Sequence, residues 1–262
     1  MKALPFAASV IAFSAATASA ADMAVKAPPP APMVQVYNWT GFYIGLNAGG
    51  AWGRSDVDAL TEENFASQVP FENAAGTRSF RPAGFIGGGQ VGYNWQTGNF
   101  VLGIEADAQY QDLRASSVVN PVIPGIGGIM TQSVKSDFLA TVRPRIGVVF
   151  GSALFYATGG LAVGRVKNFD AVTGVPPITE SAFTSDTRVG WTAGGGVEWG
   201  FTPNWSVKAE YLYVDLGTSS HRTPDFPGFT LTGIVFNSHF TEQVARVGIN
   251  YRWGGNPVVA KY

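Results

Sequence analysis

The chain contains two histidines, which are candidates for metal binding or catalysis. His221 and His239 are the only histidines of the chain, and the acidic residues Asp225 and Glu242 lie near them in sequence. Such a group could bind a metal ion or form part of a hydrolytic Ser/His/Asp site. No motif fixes their spacing, and solvated loop histidines are far commoner than catalytic ones. We predict that the protein is not an enzyme and has no catalytic or metal-binding residue, and an enzymatic protein is kept as a third alternative.

A glycine-rich stretch matches the phosphate-binding fingerprint of dinucleotide-binding proteins. Residues 87–92 have the spacing GxGxxG, and Glu105 and Asp107 follow where a ribose-binding acid could lie. In that motif the N-terminus of a helix binds the pyrophosphate. Here residues 93–95 continue directly into a turn and another predicted strand. We interpret the match as fortuitous and predict no cofactor-binding residue and no cofactor.

The composition excludes further classes of protein. The chain of 262 residues has no cysteine, which excludes disulfide scaffolds, thiolate metal sites and cysteine nucleophiles. Its formal net charge of −1 argues against binding to nucleic acid. Only 13% of the residues are charged, 46% are hydrophobic and 33 are glycine, so the chain is neither a typical soluble globule nor disordered.

Charged residues recur at every second position in several segments, which places them on one face of β-strands. If eight strands close into a barrel, its lumen is only wide enough for side chains to fill, and charges buried there must pair. An ion-selective pore would favour one sign, whereas these residues comprise four acids and five bases. We predict a paired network that plugs the lumen. Its members are Glu105, Asp107, Arg143, Arg145, Glu198, Lys208, Glu210, Arg246 and Arg252.

The elements that must position these charges are strands. Eight segments show apolar alternation of period two or a glycine-rich version of it. They are residues 41–51, 84–95, 100–110, 138–150, 154–165, 189–201, 207–213 and 245–253. Short turns at residues 96–99, 151–153 and 202–204 alternate with long connections near residues 53–83, 113–135, 167–188 and 218–241. The fold class predicted is all-β, an eight-stranded antiparallel up-and-down transmembrane β-barrel.

One face of the predicted strands carries aliphatic and aromatic residues, and the other face carries the charged residues and glycines. This is the reverse of a soluble sheet, in which the polar face is the one exposed to the surroundings. Strands of this length and even number suit a barrel that crosses an outer membrane. Aromatic residues beside the short turns and strand ends predict a girdle at the membrane interface. They are Trp39, Trp95, Phe100, Phe150, Phe155, Trp199, Phe201, Trp205 and Trp253.

One uncharged stretch of 19 residues, 146–164, is long enough for a membrane helix. It contains five glycines and a Gly-Ser break near its middle, and the preceding arginines alternate into it at period two. We therefore predict a β-hairpin there.

The first residues indicate export. Residues 1–20 have a charged start, an apolar centre and a small-x-small end, which predicts a cleaved signal peptide. Residues 21–38 read as a proline-rich periplasmic tether, residues 39–253 as the barrel and residues 254–262 as a C-terminal extension. The predicted location is the outer membrane of a Gram-negative cell, reached through the inner membrane.

Five segments resemble the alphaproteobacterial family of outer-membrane immunogenic, opacity-like small β-barrels. They are GGQVGYNW (88–95), GIEAD (103–107), LFYATGG (154–160), VKAEYLYVD (207–215) and VGINYRW (247–253). The family's barrel is similar to the transmembrane domain of outer membrane protein A. The resemblance implies an integral, surface-exposed outer-membrane protein, of a kind often described as porin-like without a demonstrated solute. Whether Trp253 or Tyr262 serves as the assembly signal is left open.

From these observations we predict a role in envelope structure and surface interaction, with a plugged lumen. The alternative is a small porin that passes ions or small polar solutes. The partners predicted are outer-membrane lipid and lipopolysaccharide, the outer-membrane barrel assembly machinery, and host or surface ligands that reach the four long loops. Nucleic acid is not among them.

Overall fold

The computed structural model describes residues 37–61, 69–120, 122, 127–173, 179–222 and 234–253. The predicted signal peptide, all but the last two residues of the predicted tether, and the predicted C-terminal extension lie outside the described residues. Asp225 and Tyr262 also lie outside them.

Antiparallel β-strands make up almost all of the described chain. In chain order the elements are β1 (Gly41–Thr61), α1 (Val69–Gly76), β2 (Arg78–Phe80), β3 (Ala83–Thr97), β4 (Phe100–Val119), β5 (Ile129–Phe150), β6 (Ala153–Thr173), β7 (Thr179–Thr202), β8 (Trp205–Arg222) and β9 (Ile234–Arg252). Among the described residues, no helix has the length and hydropathy needed to cross a membrane.

Eight long strands form a closed ring. Each pairs with the next along the chain, and β1 pairs with β9 from Tyr43↔Arg252 to Thr61↔Ile234, which closes the sheet. The predicted eight-stranded, up-and-down antiparallel barrel is therefore confirmed. The three-residue strand β2 was not predicted, and it pairs with β1 beyond the point where β3 ends its pairing.

Two-residue turns join the strands at one end of the barrel. Gly98 and Gly151 occupy these turns with φ of 59° and 62°, a left-handed conformation that only glycine adopts without strain. Residues 146–164 lie on β5, the second of these turns and β6. The predicted hairpin is confirmed, and this end is called the tight-turn end below.

The strands at the opposite end are much longer than predicted. For example, β4 runs to Val119 and β5 starts at Ile129, so most of the predicted connection 113–135 is paired strand. The same is true of β6 and β7, which pair as far as Thr173↔Thr179. Alternation persists in these extensions, but many of their outward residues are polar, with apolar exceptions such as Val118 and Phe183, so the regular apolar pattern that marked the strands is lost. We call this the long-strand end.

Candidate functional site

Eight charged side chains form one connected network inside the barrel, here called the lumen network. They are held by β4, β5, β7, β8 and β9, and each is almost completely buried. Alternation explains the placement, because inward residues on these strands occur at every second position. The members are Glu105, Asp107, Arg143, Arg145, Glu198, Lys208, Glu210 and Arg246.

Glu105 is the most highly connected carboxylate of the lumen network. It accepts hydrogen bonds from Arg143 at 2.7 Å and from Lys208 at 2.9 Å. The hydroxyl of Tyr43 also donates to it at 2.7 Å. Cations from two different strands thus compensate one buried carboxylate.

A second pair of carboxylates shares Arg143 and Arg246. Arg246 donates to Glu210 at 2.7 Å and to Asp107 at 3.1 Å, and Arg143 donates to Asp107 at 2.8 Å. Thr141 adds a hydrogen bond to Asp107 at 2.7 Å. Each of these two acidic side chains therefore lies between basic ones. The attraction between them offsets the free-energy cost of removing each charge from water.

Arg145 connects the network to the tight-turn end. It donates to Glu198 at 2.8 Å and to the hydroxyl of Tyr43 at 3.1 Å, and its guanidinium lies 4.0 Å from the ring centroid of Tyr156. Tyr156 in turn donates to Glu210 at 2.9 Å. Our sequence analysis missed both tyrosines, although each lies between two outward residues and so occupies an inward position by alternation.

Inward glycines make room for these tyrosines. A Cβ atom on Gly92 would collide with the ring and hydroxyl of Tyr43, and one on Gly196 would lie 2.8 Å from the hydroxyl of Tyr156. These glycines thus have a steric function, because each is the direct cross-strand partner of its tyrosine on the neighbouring strand, and the tyrosine side chain lies over the space that a Cβ atom would fill.

Arg252 and Trp39 close the tight-turn end of the lumen. Arg252 donates to the carbonyl of Pro203 at 2.8 Å, and its guanidinium lies 4.4 Å from the ring centroid of Tyr37 and 5.7 Å from that of Trp39. The Arg252 side chain thus lies in the lumen mouth, bonded to backbone and aromatic rings rather than joined to the ion pairs described above. The placement of Trp39 in an outer girdle was wrong, because its side chain is only 1% exposed and packs with Val101, Val149 and Leu154.

Apolar side chains fill the lumen beyond the network, toward the long-strand end. This layer, here called the apolar cap, is buried. Its largest members are Ile86, Leu113, Met130, Leu139, Leu212, Leu216, Phe236 and Phe240. Within it, Gln111 donates to Glu242 at 3.2 Å. The lumen therefore contains an ionic layer with an apolar cluster on each side, and buried polar and charged side chains such as Ser136, Asp170 and Arg188 are interspersed with the apolar cap.

The histidines considered as a metal or catalytic site lie apart. His221 points inward, stacks on Phe236 with ring centroids 5.4 Å apart and lies 3.0 Å from an oxygen of Asp170. His239 points outward and lies 3.1 Å from the hydroxyl of Thr218. Among the described residues, no group of three or more His, Cys, Asp or Glu side chains could hold a metal ion.

The outer surface of the barrel carries a band of apolar side chains bounded by two rows of exposed aromatics. Eight predicted girdle residues lie exposed near the tight-turn end: Trp95, Phe100, Phe150, Phe155, Trp199, Phe201, Trp205 and Trp253. A second row, which we did not predict, lies where the outward residues turn polar: Trp52, Phe85, Tyr110, Trp191 and Tyr211. Two aromatic rows around an apolar band are typical of a barrel that spans a bilayer.

Beyond the second row the outward positions carry charges, beginning with an exposed pair on β1. Arg54 donates to Asp56 at 2.8 Å, and this hydrogen bond holds the pKa of the Asp56 carboxyl below its usual value. Asp56 also accepts a hydrogen bond from Ser79 on β2. The Asp56 carboxylate thus helps to hold β2 against β1 at the long-strand end.

Comparisons with known proteins identify the family of the chain. The family model described as "Outer membrane protein beta-barrel domain" matches residues 7–254. A 31 kDa outer-membrane immunogenic protein of Brucella melitensis is 37% identical over 256 residues, which are 94% of this chain and 98% of the relative. A 22 kDa outer membrane protein of Rhizobium leguminosarum is 30% identical over 85% of this chain and 82% of its own. Among solved structures, Neisserial surface protein A aligns at 14% identity and a TM-score of 0.32, over 82% of this chain and 98% of that chain.

Proposed function

The chain belongs to the family of outer membrane protein β-barrel domains and lies in the outer membrane, and we propose that it serves envelope structure and surface interaction rather than catalysis or solute transport. In this proposal the lumen network and the apolar cap form a plug. The long-strand end faces the cell exterior and the tight-turn end faces the periplasm. Residues 1–20 act as the cleaved signal peptide and residues 21–38 as the tether.

The observation that carries the plug is the burial of Arg143. Its side chain is 0% exposed, and three carboxylates, those of Glu105, Asp107 and Glu210, lie within 3.5 Å of its guanidinium. An ion moving through the lumen would have to break several of these charge-assisted bonds at once. The apolar cap adds a second barrier, because its large buried side chains occupy the lumen and cannot replace the water that a hydrated ion would lose.

A surface role is supported by the relatives and by the shape of the barrel. Relatives are described as outer-membrane immunogenic proteins, and the strands at the long-strand end continue past the second aromatic row. The proposed partners are lipopolysaccharide and other outer-membrane lipid at the barrel exterior, host or surface ligands that reach the four long connections, and the barrel assembly machinery during insertion.

The test is single-channel conductance of the refolded protein in planar lipid bilayers. Insertion is established separately, by the change in SDS mobility on boiling and by protection of the barrel from protease. We expect no steady conductance from inserted protein. Steady channels whose ion selectivity changes when Arg143 and Arg145 are both replaced by alanine would overturn the plug and establish the alternative, a small porin.

A further inference from the structure

Three cations stand side by side on the outer surface of the barrel. Arg114 on β4 is the cross-strand partner of Lys135 on β5, and Lys135 is the partner of Lys167 on β6. A fourth cation, Arg165, precedes Lys167 by one outward position on β6. Like charges placed directly opposite one another destabilise a sheet, so this row is not explained by strand pairing.

Two acidic residues neutralise the row only in part. Asp112 lies 2.6 Å from Arg114 and 3.9 Å from Lys135, and Asp137 lies 2.6 Å from Lys167. Four cations thus face two carboxylates, which leaves a local excess of positive charge. The side chains of Arg114 and Lys135 are 64% and 36% exposed, so their charges are accessible from outside the barrel.

A groove lies at this row. It has a volume of about 310 Å³ and is lined by Arg114, Ser116, Ser133 and Lys135 together with backbone neighbours. Ser116 and Ser133 are themselves cross-strand partners, so two hydroxyls stand beside two cations. Hydroxyl donors combined with Arg and Lys are the groups that bind phosphate oxygens in proteins. We call this feature the cationic groove.

The position of the cationic groove relative to the bilayer limits its ligand. Tyr110 and Phe138 are the outward cross-strand pair at the end of the apolar band, and the outward residues that follow on β4 and β5 include Asp112 and Lys135. The groove therefore lies at the height of the lipid headgroups, where a phosphate attached to an acyl-chain anchor would reach it while its chains cover the apolar band.

We propose that the cationic groove binds a phosphate group of lipopolysaccharide in the outer leaflet. The assignment rests on the proposed orientation, in which the long-strand end faces the cell exterior. It specifies the residues for one proposed partner: Arg114 and Lys135 hold the phosphate oxygens, Ser116 and Ser133 donate hydrogen bonds, and Lys167 and Arg165 supply further positive charge.

The test is a titration of the refolded full chain in detergent micelles with lipopolysaccharide whose lipid anchor is phosphorylated. We expect the double variant Arg114→Gln/Lys135→Gln to bind about tenfold more weakly or worse. The control variant Arg54→Gln/Arg81→Gln removes the same charge elsewhere beyond the membrane and should bind like the wild type. Both variants must keep the SDS mobility shift that marks a folded barrel.

Two further titrations identify the chemistry. Enzymatically dephosphorylated lipopolysaccharide should bind the wild type as weakly as phosphorylated lipopolysaccharide binds the groove variant, and millimolar inorganic phosphate should not displace the lipid. Equal binding by both double variants, or by both lipids, would overturn the proposal, and displacement by inorganic phosphate would make the groove a free-anion site. Conductance would refute the plug without changing these results, and a failed titration leaves the plug intact, so the two failures can be distinguished.

Discussion

Glu105 and Arg143 are direct cross-strand neighbours on β4 and β5, and they are also joined by a hydrogen bond of 2.7 Å inside the lumen. Sheet register and ion pairing thus coincide at this point. The pair fixes the alignment of two strands at the level of the lumen network, because a shift of one residue in either strand would turn the charge on that strand outward into lipid.

Removing Arg143 should destabilise the barrel strongly. Arg143→Ala leaves Glu105 and Asp107 buried with fewer compensating cations, and losses from such a change reach about 3–5 kcal/mol. The measurement is urea unfolding of the protein folded into lipid vesicles. Arg54→Ala removes an exposed arginine beyond the membrane and should leave the free energy of unfolding nearly unchanged. If both variants unfold at the same urea concentration, the network contributes no stability.

The pair Arg145–Glu198 should show strong coupling in a double-mutant cycle. Arg145→Met and Glu198→Gln each leave a buried partner uncompensated, so the double variant should lose less than the sum by about 1–3 kcal/mol. The comparison cycle uses Glu198→Gln with Lys208→Met. Those two residues are cross-strand neighbours, but Lys208 bonds to Glu105 instead. A larger coupling in the second cycle would contradict the observed pairing across the lumen.

A charged residue introduced into the outward-facing band between the two aromatic rows should lower the free energy of unfolding. Leu102 is outward and 58% exposed within this band, so Leu102→Arg should cost about 2–4 kcal/mol in vesicle-folded protein. Leu60 is 54% exposed but lies near the far end of β1, beyond the band, and Leu60→Arg should cost far less. Equal losses would show that the boundary of the membrane is misplaced.

The buried Trp39 side chain should stabilise the tight-turn end of the barrel. Trp39→Ala empties a fully buried site beneath Arg252, and such changes typically cost about 3–5 kcal/mol. Trp95→Ala, which removes an outward tryptophan of the predicted girdle, should cost less. The free energy of unfolding of each variant in vesicles measures the difference. If Trp39→Ala lowers the free energy of unfolding less than Trp95→Ala does, Trp39 is not a buried structural residue and the original girdle assignment is restored.

Alternation made the inner and outer faces of the strands predictable. Arg143 and Arg145 were assigned inward because they alternate with apolar residues, and the structure places them there. Trp39 could have been assigned in the same way, since it lies four residues before the inward Tyr43 and has the same parity. Its position at a strand end suggested a girdle residue instead.

The partners across the lumen could not be predicted. Arg145 and Glu198 lie on β5 and β7, which are not neighbours in the sheet, so their distance depends on how the closed ring staggers and tilts its strands. The strand extensions were missed for a different reason. Polar residues interrupt the apolar outward positions in these extensions, so the regular alternation that marked the membrane strands is lost.

The extended strands also separate the connections at the long-strand end from the part of the barrel that lies in the membrane. From Tyr110 to Val119, β4 continues nine residues past the second aromatic row; at about 3.3 Å per residue and a tilt near 40°, this is a rise of about 20 Å above the lipid. The paired strands thus extend the barrel beyond the bilayer, and the connections between them begin at this distance from the lipid. We therefore expect sequence changes in the connections beyond these strand ends to have little effect on membrane insertion or on the free energy of unfolding of the barrel.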